Sequence, residues 1–350
     1  MRSIWTTRTI EAAIPATNLS ARPRRVVAHF KGLLGGFPIT VVDVGSRGGI
    51  PGELTCLVPH INLVSIEPDP DEAARLNEGL SALGFRSAVV LPTAVGPSSR
   101  QLALHITRDP GKSSLLEPNE TVIRRYAQEE EYEVIRRVPV TLRGLGDILA
   151  EQGRDEIDVL KLDVQGFELE ILKTLSDQQL DTLLMIEVEC QFVELYKGAS
   201  LFRHIDDYLS ARGFELFHLC RIVSNYLGRR WGPYGRGQLQ FGDAYYLRTR
   251  VEPLPASQIA KLIVLSAFYG FNDYGYYQFT RHRARLRELD GSLFRRFREY
   301  FAPFSATSPS MRRRLATGLR LVLDRFLFAY LAWRRWNGLK TDTDRAYPIR

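Results

Sequence analysis

A chain of 350 residues with 45% apolar and 25% charged residues can bury a sizeable core, which excludes a disordered protein and leaves room for about two domains. Its net charge of +7 sits at one end: residues 251–350 hold 18 Lys/Arg against 8 Asp/Glu, and the first 250 are mildly acidic. That placement argues against a basic nucleic-acid-binding surface along the whole chain. Three scattered cysteines, Cys56, Cys190 and Cys220, give neither a disulfide framework nor metal-type spacing, and suggest a reducing, cytoplasmic setting.

Taken in order, "MRSIWTTRTIEAAIPA" is interrupted by Arg8 and Glu11 and reads as an arm, not a secretion leader. The arm runs to residue 37 and includes a short helix, "RRVVAHFKGLL". From Pro38 to Thr249, short β-branched runs alternate with helical segments. Strands are predicted at 39–44, 62–68, 85–91, 101–106, 137–142, 158–164, 183–189, 214–219 and 243–249. Helices are predicted at "DPDEAARLNEGLSALG", "LGDILAEQG", "GFELEILKTLSDQQL" and "LFRHIDDYLSARG". This alternation predicts an α/β fold with a doubly wound, mostly parallel sheet. Residues 250–350 form a basic, aromatic-rich helical extension. Its cluster "FYGFNDYGYYQF" suits a sugar ring or, more simply, a packing knot between helices. The arginine-laced pattern "MRRRLATGLRLVLDRFLFAYLAWRRW" has an uncharged run only from Phe326 to Trp333, far short of the roughly 20 residues a membrane span needs. Such basic helices fit a peripheral membrane contact or a homodimer surface.

Two stretches look chemical. "TVVDVGSRGG" ends a predicted first strand in Asp43 and turns through Gly45, Ser46 and Arg47. Its G-x-x-G-G spacing is neither the dinucleotide fingerprint nor a P-loop, so a phosphate cradle is poorly supported. Glu67 closes the second strand about twenty residues further on, where an acidic side chain accepts the hydroxyls of a ribose. Adenosine binding without a phosphate cradle points to S-adenosylmethionine rather than NAD. In "KLDVQGFE", Asp163 ends a buried strand and Gln165 follows on the same face if the segment is extended. Glu187 and Glu189 leave the next strand and form a carboxylate cluster with Asp163. A divalent cation is the weaker reading of that cluster, because no His or Asn completes a ligand set, and no metal ligand is assigned. Ser113 and Ser114 lie in a polar loop placed to cover a pocket.

"VVDVGSRGG", "VSIEPDP", "TAVG" and above all "IDVLKLDVQGFELEIL" resemble the FkbM-type methyltransferases, over about Phe37 to Arg248. The family is class I and S-adenosylmethionine-dependent, with many O-methyltransferases acting on sugars, glycans or natural products. The resemblance implies that Asp43 and Gly45, with Ser46 and Arg47, line the methionine end of the cofactor. It places Glu67 and Pro68 at the ribose and Thr93 and Ala94 at the adenine, with Asp163 reaching the cofactor as well. Asp163, Gln165 and Glu187 are the candidates for catalysis. Gln165 stands where the family usually has Glu, and Ser46-Arg47 where it commonly has Ala-Asn. The expected activity is O-methylation of a sugar, glycan or glycosylated metabolite. A catalytically silent module that binds a glycan or protein partner is the alternative, and an NAD-dependent enzyme the weaker one.

Overall fold

A computed structural model of the protein describes residues 21–47, 49, 56–228 and 237–305. The arm before residue 21 and the predicted helix at 311–336 lie outside the described residues. The strands are β1 (Ile39–Val44), β2 (Ile61–Ile66), β3 (Ser87–Leu91), β4 (Ala94–Val95), β5 (Gln101–Thr107), β6 (Val134–Arg143), β7 (Val159–Leu162), β8 (Met185–Gln191), β9 (Phe214–Ser224) and β10 (Gln238–Arg248). The helices that flank them are α1 (Ala21–Gly36), α2 (Pro70–Ser81), α3 (Glu120–Ile123), α4 (Leu145–Glu151), α5 (Glu168–Leu172), α6 (Asp177–Thr182), α7 (Phe202–Ser210), α8 (Ala256–Tyr269), α9 (Asn272–Arg281), α10 (Arg283–Leu289) and α11 (Gly291–Ser305).

Seven strands form one sheet in the order β3-β2-β1-β7-β8-β10-β9. β3 to β8 of this sheet pair in parallel, and β10 runs antiparallel between β8 and β9. All six residues of β1 are buried, as a strand covered on both faces requires. The order reverses between β1 and β7, which is where open α/β sheets bind ligands. The predicted mostly parallel, doubly wound sheet is therefore present.

One face of the sheet buries Val42, Val44, Leu160, Leu162, Ile186 and Val188 against α4 to α7. The other buries Val41, Val159, Met185 and Leu247 against α1 and α8. α9 and α10 pack on α8, and α11 packs on α1, so helices from both ends of the chain share this core. α8 is buried nearly all round. Lys261 on it places Nζ 2.8 and 3.0 Å from the carboxylate oxygens of buried Asp158, whose Oδ2 also accepts the Thr40 N–H. Much of the aromatic cluster packs: Phe217 meets the rings of Phe271 and Tyr274, and Tyr276 meets Phe301, while Tyr277 is exposed. No helix among the described residues is long and apolar enough to cross a membrane.

Two sequence expectations change. The helix predicted over 166–180 is broken into α5 and α6, because Ser176 and Gln179 form a capping box that starts a new helix. The strands predicted at 101–106 and 137–142 exist as β5 and β6 but leave the main sheet. With β4 they make a three-stranded sheet in the order β4-β6-β5. The half-exposed pattern of β6, with Arg136 and Arg137 in its middle, suits this outer position better than a core one.

Candidate active site

A cleft of about 810 Å³, its open mouth included, lies at the tips of β1, β2 and β7. Gly45, Arg47, Glu67, Pro68, Thr93, Ala94, Asp163 and Gln165 all line it. Of the residues singled out in the sequence, Asp43, Ser46, Glu187 and Glu189 are not among the lining residues. Leu104 and Ile106 of β5 and the loop carrying Pro110, Gly111, Ser113 and Ser114 complete the wall. The small outer sheet is thus what turns an open sheet edge into an enclosed cleft.

The β1 turn is held by backbone and by Ser46. Gly45 and Ser46 donate their N–H groups to Ile66 O, while Ser46 Oγ donates to Asp43 O and accepts the Ile66 N–H. Ser46 is therefore a staple between β1 and β2. Glu67 follows β2 and is buried; its Oε1 accepts the Asp69 N–H at 3.0 Å. Burial raises the Glu67 carboxyl above the usual range, against the pull of that N–H and of Arg47. The Arg47 guanidinium lies 3.7 Å from Glu67, 3.4 Å from Asp69 and 3.8 Å from Glu72, so it closes one side of the cleft as the hub of a carboxylate cluster.

Behind the cleft a polar row crosses the sheet. Asp43, Lys161, Glu187 and Tyr245 stand on neighbouring strands in direct register. Lys161, an unexpected charge in an apolar strand, has its Nζ 3.2 Å from Asp43 Oδ1 rather than reaching for solvent. Burial disfavours its charge, but Asp43, Asp163 and Glu187 outweigh this and hold its pKa above the ordinary lysine value. Burial likewise raises Asp43. We predict that Lys161→Met lowers unfolding free energy by about 3 kcal/mol at pH 8, because it strands a buried carboxylate. The loss should shrink on acidification, since Asp43 then takes up a proton at a pH above the usual aspartate value. Urea unfolding at pH 8 and pH 5 measures it, and equal losses at both would reject the pairing.

At the other end of the cleft the chain bends through Gln165, whose φ of +58° is rare for a residue with a Cβ. The segment is not extended here, yet Asp163 and Gln165 still meet. Gln165 Nε2 donates to Asp163 Oδ1 at 2.9 Å and to Glu189 Oε2 at 2.5 Å. Its Oε1 accepts the Tyr196 hydroxyl at 2.9 Å, and its carbonyl accepts Ser114 Oγ at 2.8 Å. Burial pushes the Glu189 carboxyl well above the glutamate range; Asp163 and Asp243 push the same way, against Lys112. Lys112 Nζ lies 4.8 Å from the ring centre of Phe241 and 5.8 Å from that of Tyr132, behind the loop that walls the cleft. Sequence reasoning missed Lys112 and Tyr196, which carry no local pattern. Among the described residues no group of three or more His, Cys, Asp or Glu side chains is placed to hold a metal ion.

A doubly wound sheet with a glycine turn after β1, an acid after β2 and a cleft at the switch point is the arrangement in which open α/β sheets bind ligands. Residues 52–216, a little under half of the chain, match the family model of the methyltransferase FkbM domain. The resemblance carried by "IDVLKLDVQGFELEIL" is borne out. The chain is 27% identical over 180 residues to the 2-O-methyltransferase NoeI of Sinorhizobium fredii (strain NBRC 101917 / NGR234), covering 50% of this chain and 72% of that protein. It is 28% identical over 200 residues to methyltransferase sdnD of Sordaria araneosa, covering 50% and 73%. Among solved structures, the magnesium protoporphyrin IX methyltransferase of Synechocystis PCC 6803 with bound SAM covers 69% of this chain and 88% of that one. Its 10% identity and TM-score of 0.31 are too slight for a residue-by-residue correspondence.

Proposed function

We propose that this methyltransferase moves a methyl group from S-adenosylmethionine to a hydroxyl oxygen of a sugar, glycan or glycosylated metabolite. The observation that carries the reading is the gathering in one cleft of Glu67 after β2, the Gly45 turn after β1 and, directly beside that turn, Asp163 with Gln165 after β7. The residues fit such a donor. Glu67 presents a buried carboxylate with Oε1 already fixed by the Asp69 N–H, the Gly45 turn exposes backbone, and Val95, Leu104 and Ile106 offer apolar surface. When bound, S-adenosylmethionine supplies a methyl carbon made electrophilic by its sulfonium. Asp163 would orient an acceptor hydroxyl toward that methyl group and would take up the hydroxyl's proton. Gln165 fixes Asp163 through Oδ1, which leaves Oδ2 for the acceptor. The NoeI name, a 2-O-methyltransferase, supports an oxygen acceptor.

Methyl-labelled S-adenosylmethionine incubated with the full chain and a panel of neutral and amino-substituted oligosaccharides tests the proposal. Label should enter an alkali-stable methyl ether. Failure of the folded protein to bind either S-adenosylmethionine or S-adenosylhomocysteine in calorimetric titration would sink it. Glu67→Ala is expected to weaken binding of both about tenfold to a hundredfold, through loss of charge-assisted ribose hydrogen bonds. In the parent protein affinity should fall with acidification at a pH above the usual glutamate value, because burial raises Glu67 and only the ionised form accepts both hydroxyls. Unchanged affinity in the variant would remove Glu67 from the ribose.

A further inference from the structure

We propose that Glu168 is a positioning residue for the transfer step, acting through the backbone on either side of Gln165. Its Oε1 accepts the N–H of Val164 at 3.1 Å and the N–H of Gly166 at 3.0 Å. One carboxylate oxygen thus ties down the N–H groups of the two residues that flank Gln165 and its strained φ. Strain of this kind persists only where surrounding groups over-determine it. The other restraints act on Gln165 itself: Ser114 on its carbonyl, Tyr196 on Oε1, and Asp163 and Glu189 on Nε2. Removing the clamp frees the turn that aims Asp163 and Gln165 into the cleft.

Glu168 is costly where it stands. It is 1% exposed, and its Oε2 has no hydrogen-bond partner among the described residues. Asp163 at the end of β7, Glu189 and Cys190 on β8, and Tyr196 beyond β8 are ionisable groups that interact with it. None of them is a cation. Burial therefore pushes its carboxyl to about 7 despite the backbone donors of Gly166, Glu168 and Val164. A raised acid makes the fold less stable as pH rises from the unfolded value through about 7, so the ionised carboxylate is retained at the expense of stability. A glutamine of the same shape would avoid the charge. Charge-assisted hydrogen bonds are about twice as strong as neutral ones, and that grip on two N–H groups is what glutamine lacks.

The test compares the parent protein with Glu168→Gln at pH 8. Amide hydrogen exchange is read at Val164 and Gly166, with Leu160 and Leu162 of β7 as internal controls. Calorimetric titrations use adenosine, S-adenosylhomocysteine and S-adenosylmethionine. The variant should exchange about tenfold faster at the two bracketing amides and normally in β7. Its adenosine affinity should stay within about twofold. The advantage of S-adenosylmethionine over adenosine should fall about tenfold, because only the methionine end reaches the Gln165 turn. In the parent protein, protection at the same two amides should weaken as pH falls through about 7 while the fold persists, which decides the matter if the variant does not fold. Unchanged exchange at both amides, or equal losses for adenosine and S-adenosylmethionine, would overturn the proposal. The titration arm rests on the cofactor proposed above and the exchange arm does not. A parent protein that binds none of these nucleosides but shows the predicted exchange would reject that cofactor and keep the clamp.

Discussion

Gly45→Ala is expected to lose most of the folded population, and with it cofactor binding. A Cβ at this position would stand 2.0 Å from the carbonyl oxygen of Asp163 and 2.9 Å from its carbonyl carbon. Both neighbours are backbone, so no side chain can swing aside. The residue also has φ +81°, where a Cβ costs roughly 1–2 kcal/mol by itself. Relieving the overlap means parting β1 from β7, the two strands whose tips make the cleft. A total above about 4 kcal/mol follows, comparable with the whole stability of many domains. Gly49→Ala supplies the control. Gly49 has the same φ, but a Cβ added there would meet nothing within 4 Å among the described residues, so only the conformational cost remains. Chemical unfolding of the pair should give a large loss at Gly45 and about 1 kcal/mol at Gly49. Equal losses would show that the approach of β7 does not matter. The glycine after β1 is thus required first by the protein's own backbone.

The sheet is legible in the sequence because its strands are short, β-branched and separated by helices, so period and length agree. Its C-terminal cover is less so. α8 is apolar on nearly every side, and a helix buried all round has no amphipathic contrast to read. The departure of β5 and β6 from the main sheet is hidden for a related reason, since alternation marks a strand but not its partner. In the site, Glu67 and Asp163 can be placed because each ends a strand at a position with a known geometric consequence. Gln165 reads as extended and is left-handed, and only the following Gly166 hints at a turn. Ser46 reads as a ligand contact and is a staple within the backbone. The links from Ser114 and Tyr196 to Gln165 span 51 and 31 residues, beyond the reach of any local pattern.

Asp163→Asn is expected to lower turnover about a hundredfold to a thousandfold, within the range by which a positioned base assists proton transfer. Asparagine keeps the shape, and its Oδ1 can still accept Gln165 Nε2, so the turn and cofactor affinity should hold within about threefold. What disappears is the oxygen that takes the acceptor's proton. Single-turnover transfer of labelled methyl, set beside a titration of S-adenosylhomocysteine, separates the two effects. A variant with parental turnover would take Asp163 out of the chemistry. Gln165→Glu probes the same site from the other side. The amide now gives one N–H to each of two carboxylates, Asp163 and Glu189. A third carboxylate at that point places three like charges within hydrogen-bond reach, and they can coexist only by sharing a proton. The proton they share holds the cluster partly neutral until pH rises. Gln165→Glu should therefore displace the rate profile toward alkaline pH, whereas Asp163→Asn should lower it at every pH. An unshifted profile in Gln165→Glu would mean that the three groups do not communicate. The glutamine in this chain would then have no electrostatic consequence for Asp163.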